Sequence, residues 1–210
     1  MNREQFGALQ RSIKCCTRCV DRGFISSAYP VLFGSMAARI MILGQAPGPT
    51  AAYRPLPYTG ASGKTLQMWL RRAGFEDGAL HDPTRFYLTS ITKCFPGRSS
   101  SGKGDRAPGR EEIALCSAHL DRELRSVQPM LVLALGRLSI GTMLPSVRRE
   151  TLASIVGVTH PVEYRAAGDA RVLPLPHPSG VSRWHNERSN QTRLAKALDR
   201  LDRLRREWLL

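Results

Sequence analysis

A chain of 210 residues, 42% hydrophobic and 23% charged, is long enough for one folded domain with a core of useful size. No run of about 18 apolar residues occurs, which excludes a membrane-spanning helix. The opening MNREQFGALQ lacks a signal peptide's apolar core, so a cytoplasmic protein is expected. The net charge of +14 points to a polyanionic partner, most simply nucleic acid, a solvated basic surface being the alternative.

In chain order, residues 2–14 form a short polar helix that runs into KCCTRC. ARIMIL (38–43) is a buried strand closed by Gly44, and a long Gly/Pro loop occupies 44–64. KTLQMWLRRAG (64–74) has apolar residues at helical spacing and stops at Gly74. FYLTSITK (86–93) is a second strand, followed by the polar loop 96–109. Residues 110–127 are a helix with acids in its first turn, as the helix dipole favours. MLVLAL (130–135) is a third strand closed by Gly136; 139–145 reads as a short helix and VLPLP (172–176) as a fourth strand. The segment from Asn190 onward is amphipathic, with Leu194, Leu198, Leu201, Leu204 and Trp208 on one face that fits core packing.

Strands alternating with helices make this an α/β protein with a largely parallel sheet. There is no internal repeat and no second domain. The informative loops begin at Gly44, after Thr92 and at His177, each at a strand's C-terminal end, where open α/β sheets bind ligands.

Five cysteines in a cytoplasmic chain suggest metal or redox chemistry rather than disulfides. Cys16 and Cys19 form a CxxC, which brings two sulfurs to one centre; Cys94 and Cys116 follow at wide spacing. Four such thiolates suit zinc or a four-iron cluster, with scattered buried thiols as the alternative. Cys15 is surplus, and CxxC, the commoner bite, favours Cys16 over it.

The ordered set GQAPG (44–48), YTG (58–60), TKC (92–94), Cys116, LVLALG (131–136) and HPS (177–179) resembles the uracil-DNA glycosylase superfamily, and most of all its family-4, iron–sulfur type. The resemblance covers nearly the whole chain. It implies a three-layer α/β/α sandwich around a mainly parallel four-stranded sheet, in a single domain whose N-terminal segment is tied in by a metal cluster. It implies a structural four-iron four-sulfur cluster on Cys16, Cys19, Cys94 and Cys116, and excision of a flipped, deaminated base from DNA. A monomer is expected.

Hydrolysing an N-glycosidic bond creates an oxocarbenium-like sugar and a base that leaves with negative charge, so donors must be aimed at the base. The resemblance sets the Gly44–Gly48 loop beside base and sugar, with the Gln45 amide or backbone available to bond the base or position water. Ala46 and Ala61 stand where related enzymes carry carboxylates, so catalysis would rest on leaving-group stabilisation. His177 is the candidate donor to the base carbonyl. Tyr58 replaces a Phe that stacks on the base, although a Tyr in a Pro-rich loop can also serve loop packing. Ser90 replaces the Asn that reads uracil's amide edge, which favours a wider base range such as hypoxanthine or xanthine.

HPSGVSR departs from the family-4 pattern and is similar to the NPSGLSR of mismatch-specific glycosylases. Ser179, Gly180, Val181, Ser182 and Arg183 are therefore expected at the DNA, with Val181 as a wedge filling the vacated stack. Arg98, Lys103 and Arg106 in the 96–109 loop are expected at phosphates. Asp105 is a weak substitute carboxylate. It falls near the place where a self-cross-linking branch of the family has a reactive His, but the KRRIH pattern of that branch is missing. Trp184 and His185 have no assigned role. The rival reading is a non-catalytic iron–sulfur protein that binds nucleic acid; a Schiff-base lyase on Lys64 or Lys93 has little support.

Overall fold

The structure, a computed structural model, describes residues 2–101, 104–165, 168–180 and 183–210. Four five-residue strands form its centre: β1 (Ile40–Gly44), β2 (Phe86–Ser90), β3 (Leu131–Leu135) and, later in the chain, β5 (Arg171–Leu175). A two-residue strand, β4 (His160–Pro161), pairs antiparallel with β5 and completes a sheet of order β2-β1-β3-β5-β4. The other pairings are parallel. The sequence points to four strands; a fifth of two residues is too short to carry a period of two, and its proline is tolerated because it lies at the sheet edge.

Parallel strands buried on both faces read as continuous apolar runs, and β1 and β3 are buried along their whole length. The pleat sends alternate side chains to opposite layers. Ile40 and Ile42, with Leu131, Leu133 and Leu173, pack against α3 (Ala61–Arg72) and α7 (Arg188–Glu207). Met41 and Leu43, with Tyr87 and Val132, pack on the other side against α1 (Arg3–Lys14), α4 (Arg110–Val127) and α5 (Gly136–Met143). The result is the expected three layers. Short helices α2 (Arg18–Asp21) and α6 (Leu152–Ile155) complete the set.

On α7 the apolar face is buried as its spacing requires: Leu198, Leu201 and Leu204 enter the core, with Leu194 and Trp208 packed at its margin. Helix α1 contributes Phe6, Leu9 and Ile13 to the opposite layer, so apolar packing also anchors the N-terminal segment. β2 stops at Ser90, short of the expected Lys93. Its continuation still bonds to the β1 exit, from Ile91 N to Gly44 O and from Thr92 N to Gln45 O, but then turns away to meet α4.

Candidate active site

Register fixes the site. Gly44 and Ser90 are direct partners at the C-terminal ends of β1 and β2, and His177 follows β5 at the same edge. Chain order reverses about β1, which runs to β2 on one side while β3 lies on the other, and such a switch point opens a crevice.

Tyr58 enters the crevice from the Pro-rich loop. A Cβ built on Gly44 would lie 2.6 Å from the Tyr58 hydroxyl and 3.6 Å from Ser90 Oγ, so only glycine leaves room for both. Tyr58 adopts φ 59°, a left-handed conformation that costs a non-glycine residue energy and is kept only under constraint. Two contacts impose it. His81 Nε2 donates to the Pro57 carbonyl at 2.9 Å, and the Tyr58 carbonyl lies over Gly63, where any Cβ would collide with it at 1.7 Å. Burial pushes the Tyr58 phenol above its ordinary pKa, so it remains a neutral hydroxyl. Gln45 and Ala46 are half-buried beside this pocket, and the Gln45 side-chain amide has no hydrogen-bond partner among the described residues.

His177 is held in one tautomer. Its Nδ1 accepts the Ser179 N–H at 3.2 Å and contacts Ser179 Oγ at 2.9 Å, which leaves the proton on Nε2, the nitrogen with no partner among the described residues. Burial first, and the neighbouring His185 second, lower its pKa below the ordinary 6.5. The ring is thus a neutral Nε2–H donor at pH 7. Gly136 makes room for it: at φ 81° a Cβ there would lie 3.1 Å from the His177 Cβ.

His185 and Trp184, which carried no role in the sequence, support this ring. His185 Nε2 donates to the His177 carbonyl at 3.0 Å, and its ring lies 5.6 Å from both Trp69 and Trp184. The first turn of α7 then grips the bend, with Asn190 Nδ2 on the Trp184 carbonyl and Gln191 Nε2 on the His185 carbonyl. Arg183 opens the short 3-10 turn Arg183–Asn186, and Gly180 is exposed just before it. Val181, Ser182 and Lys103 lie outside the described residues.

The four candidate thiols meet. Cys16, Cys19, Cys94 and Cys116 line one cavity of about 380 Å³, its open mouth included, together with Thr92, Lys93 and Glu112. Cys15 is exposed and absent from the lining. Burial, aided by the neighbouring thiols, pushes Cys19 up to about 11 and Cys94 up to about 12, and raises Cys116 as well. Thiolates so placed need a cation to exist at pH 7. Sulfur-directed donors are ready: Lys93 N–H reaches Cys116 Sγ at 3.4 Å and the Tyr29 N–H bonds Cys94. The buried Thr92 Oγ1, also in the lining, has no partner among the described residues. Among those residues no three His, Cys, Asp or Glu side chains converge closely enough to share a single ion. The four sulfurs line the wall of one cavity.

The basic loop behaves differently from the expectation. Arg106 is not a free phosphate ligand: its guanidinium grips Glu112 at 2.6 and 2.8 Å and the Phe24 carbonyl at 3.0 Å. Burial opposes the Glu112 charge, but the hydrogen bonds from Arg106 and the Gly109 N–H outweigh it and hold the carboxyl below its usual range. Arg98 pairs with Asp105 at 3.1 Å across a small antiparallel bridge, both largely exposed, so Asp105 serves the loop. Lys93, far from being a nucleophile, is buried in an ion pair with Glu123.

A model of the Uracil DNA glycosylase superfamily matches residues 31–202. The type-4 uracil-DNA glycosylase of Pyrobaculum aerophilum is 29% identical over 178 residues, 83% of either chain. That of Archaeoglobus fulgidus is 27% identical over 180 residues, 85% of this chain and 83% of the relative. The type-5 uracil-DNA glycosylase of Thermus thermophilus is 29% identical over 215 aligned positions, 92% of this chain and 93% of the relative. The chain belongs to the uracil DNA glycosylase superfamily, and its likeness to the type-4 enzymes supports a place in family 4.

Proposed function

We propose that the protein is a monofunctional DNA glycosylase that hydrolyses the N-glycosidic bond of a flipped, deaminated base and leaves an abasic site. The observation that carries this reading is the single tautomer of His177. The ring is held by Ser179 and by the His185 bond to its carbonyl, and its neutral Nε2–H has no partner among the described residues. Aimed at a base carbonyl, it meets charge that grows as the bond breaks, and a preorganised donor is worth most there. No carboxylate stands in the 44–48 loop or at Ala61. An oxocarbenium-like sugar is electrophilic enough that water needs positioning rather than deprotonation, and the backbone of Gln45 and Ala46 is suited to that.

Uracil is the first substrate expected. The hydroxyls of Ser90 and Tyr58 flank Gly44, and each can donate or accept, so hypoxanthine or xanthine is within range. Ser90→Asn should raise the uracil-to-hypoxanthine ratio; an unchanged ratio would remove Ser90 as a specificity determinant. In the bend, Val181 is the wedge and Arg183 the strand or phosphate contact, with Arg98 and Lys103 adding phosphate contacts.

Cys16, Cys19, Cys94 and Cys116 would hold a four-iron four-sulfur cluster, for which the shared cavity, the N–H donors and the unpartnered Thr92 hydroxyl are the support. Hydrolysis transfers no electrons, so the cluster's contribution is mechanical: it joins α2, the β2 exit and α4. A monomer acting on DNA in the cytoplasm completes the reading.

The missing carboxylates favour one rival, a non-catalytic nucleic-acid-binding protein. Uracil, hypoxanthine and xanthine oligonucleotides, single- and double-stranded, are incubated with the protein and then treated with alkali. Strand breaks at the modified base are expected. Binding without breaks on every substrate would favour the rival.

A further inference from the structure

We propose that Lys93 is a positioning residue for the excision reaction, acting through a buried pair with Glu123 that fixes the Ser90 end of β2 and couples it to the helix carrying Cys116. The inference rests on the glycosylase reading.

The geometry is complete on both sides. Lys93 is 1% exposed in its side chain and Glu123 is fully buried, with Nζ to Oε2 at 2.6 Å. An ammonium has three protons, and three partners take them: Glu123, Thr89 Oγ1 at 2.7 Å and the Ser90 carbonyl at 2.5 Å. Glu123 in turn accepts from the Tyr87 hydroxyl at 3.0 Å and from Thr89 Oγ1 at 3.0 and 3.1 Å. The network is fully satisfied, and such networks hold their members to one arrangement.

Its position gives the reason. β2 is the outer strand of the sheet, and its outward hydrogen bonds are continued by a bridge between Phe33 and Leu88. Ile91 N–H points to β1, so the Ser90 carbonyl points the other way, beyond the end of that bridge. Lys93, three residues on, supplies the donor that no strand provides. The same residue's N–H reaches Cys116 Sγ, and Glu123 lies two turns further along α4. Lys93 thus joins Ser90, through its side chain, to the wall of the cysteine cavity, through its backbone N–H. Replacing a buried ion pair with apolar residues is often neutral or stabilising, so stability alone does not explain why two charges are buried here.

The test is the paired substitution Lys93→Met with Glu123→Leu, which removes both charges and leaves neither stranded. The double variant should keep the visible absorbance of the cluster and a thermal midpoint near that of wild type. Its kcat on uracil DNA should fall about 100-fold, the order expected when a reacting group is misplaced by about 1 Å, with KM nearly unchanged. Wild-type kcat in a folded, brown double variant would overturn the proposal and leave the pair a structural feature only. Should the double variant fail to fold, Thr89→Val gives the answer. It deletes the hydroxyl that links both charges while keeping the pair, and should lower kcat about fivefold at constant iron content; unchanged kcat overturns the proposal. Wild type is run in parallel: if it makes no abasic sites, the glycosylase reading fails and this inference with it, whereas active wild type beside an equally active variant removes the positioning role alone.

Discussion

Two regions flank the end of β2 and treat their polar groups in opposite ways. Around the cysteine cavity, charges are consumed by one another: Arg106 by Glu112 and the Phe24 carbonyl, Lys93 by Glu123, Thr89 and Ser90. At the C-terminal edge of the sheet, the Ser90 and Tyr58 hydroxyls beside Gly44, the Gln45 amide and His177 Nε2 have no partner among the described residues. A region whose charged side chains are paired with one another can hold the fold but leaves no charge free for DNA. A region whose donors are fixed from behind and open in front can meet charge as it develops. The difference separates the groups that support the site from the groups expected to meet the base.

Substitutions can break that separation. The largest effect is expected on the cysteine side. Cys116→Ser should lose iron and lower the thermal midpoint by about 10 °C or more, since binding energy of a metal centre is folding energy; iron analysis and calorimetry read both. On the crevice side, His177→Ala should lower kcat by about 10²- to 10³-fold, the usual loss when one preorganised donor is removed, while DNA affinity in a gel-shift stays close to wild type.

Gly136→Ala should cost less. A left-handed φ of 81° penalises any side chain by about 1–2 kcal/mol, and the new methyl would press on His177 at 3.1 Å. About a tenfold loss of kcat with a small drop in midpoint is expected from steady-state kinetics and a thermal melt.

The smallest effect sharpens the account of His177. Its pKa lies below 6.5 because of burial and then His185, so the ring is neutral at pH 7 and gains a proton only as pH falls through the lowered value. That proton would occupy Nδ1 and displace the Ser179 N–H. The rate should therefore hold steady down past pH 6.5 and decline on the acid side. His185→Gln keeps a donor for the His177 carbonyl but removes the repelling ring, and should move the acid limb modestly upward in a pH–kcat profile.

Much of this was legible in the chain because it follows from local period. Ile40 and Ile42 against Met41 and Leu43 declare a strand covered on both faces, and the leucines of α7 declare one buried stripe. The CxxC stands out by its spacing, and Gly44 and His177 because each sits where a strand ends. Other features have no local signature. Lys93 reads as the polar end of a strand until Glu123, thirty residues later, is folded against it. Arg106 looks like a phosphate ligand until Glu112 turns its capping carboxylate back toward it. His185 resembles a packing residue, and only the bend brings its Nε2 to the His177 carbonyl. Each depends on a pairing that the fold creates.

The central claim is that the cysteine centre holds the fold while His177 acts on the base, and one comparison tests it directly: iron content, visible absorbance and uracil excision measured together for wild type and His177→Ala. The account predicts full iron and unchanged absorbance in both proteins, with excision present in wild type and at least about 100-fold slower in the variant. Excision at the wild-type rate in His177→Ala, or loss of iron and excision together, would contradict it.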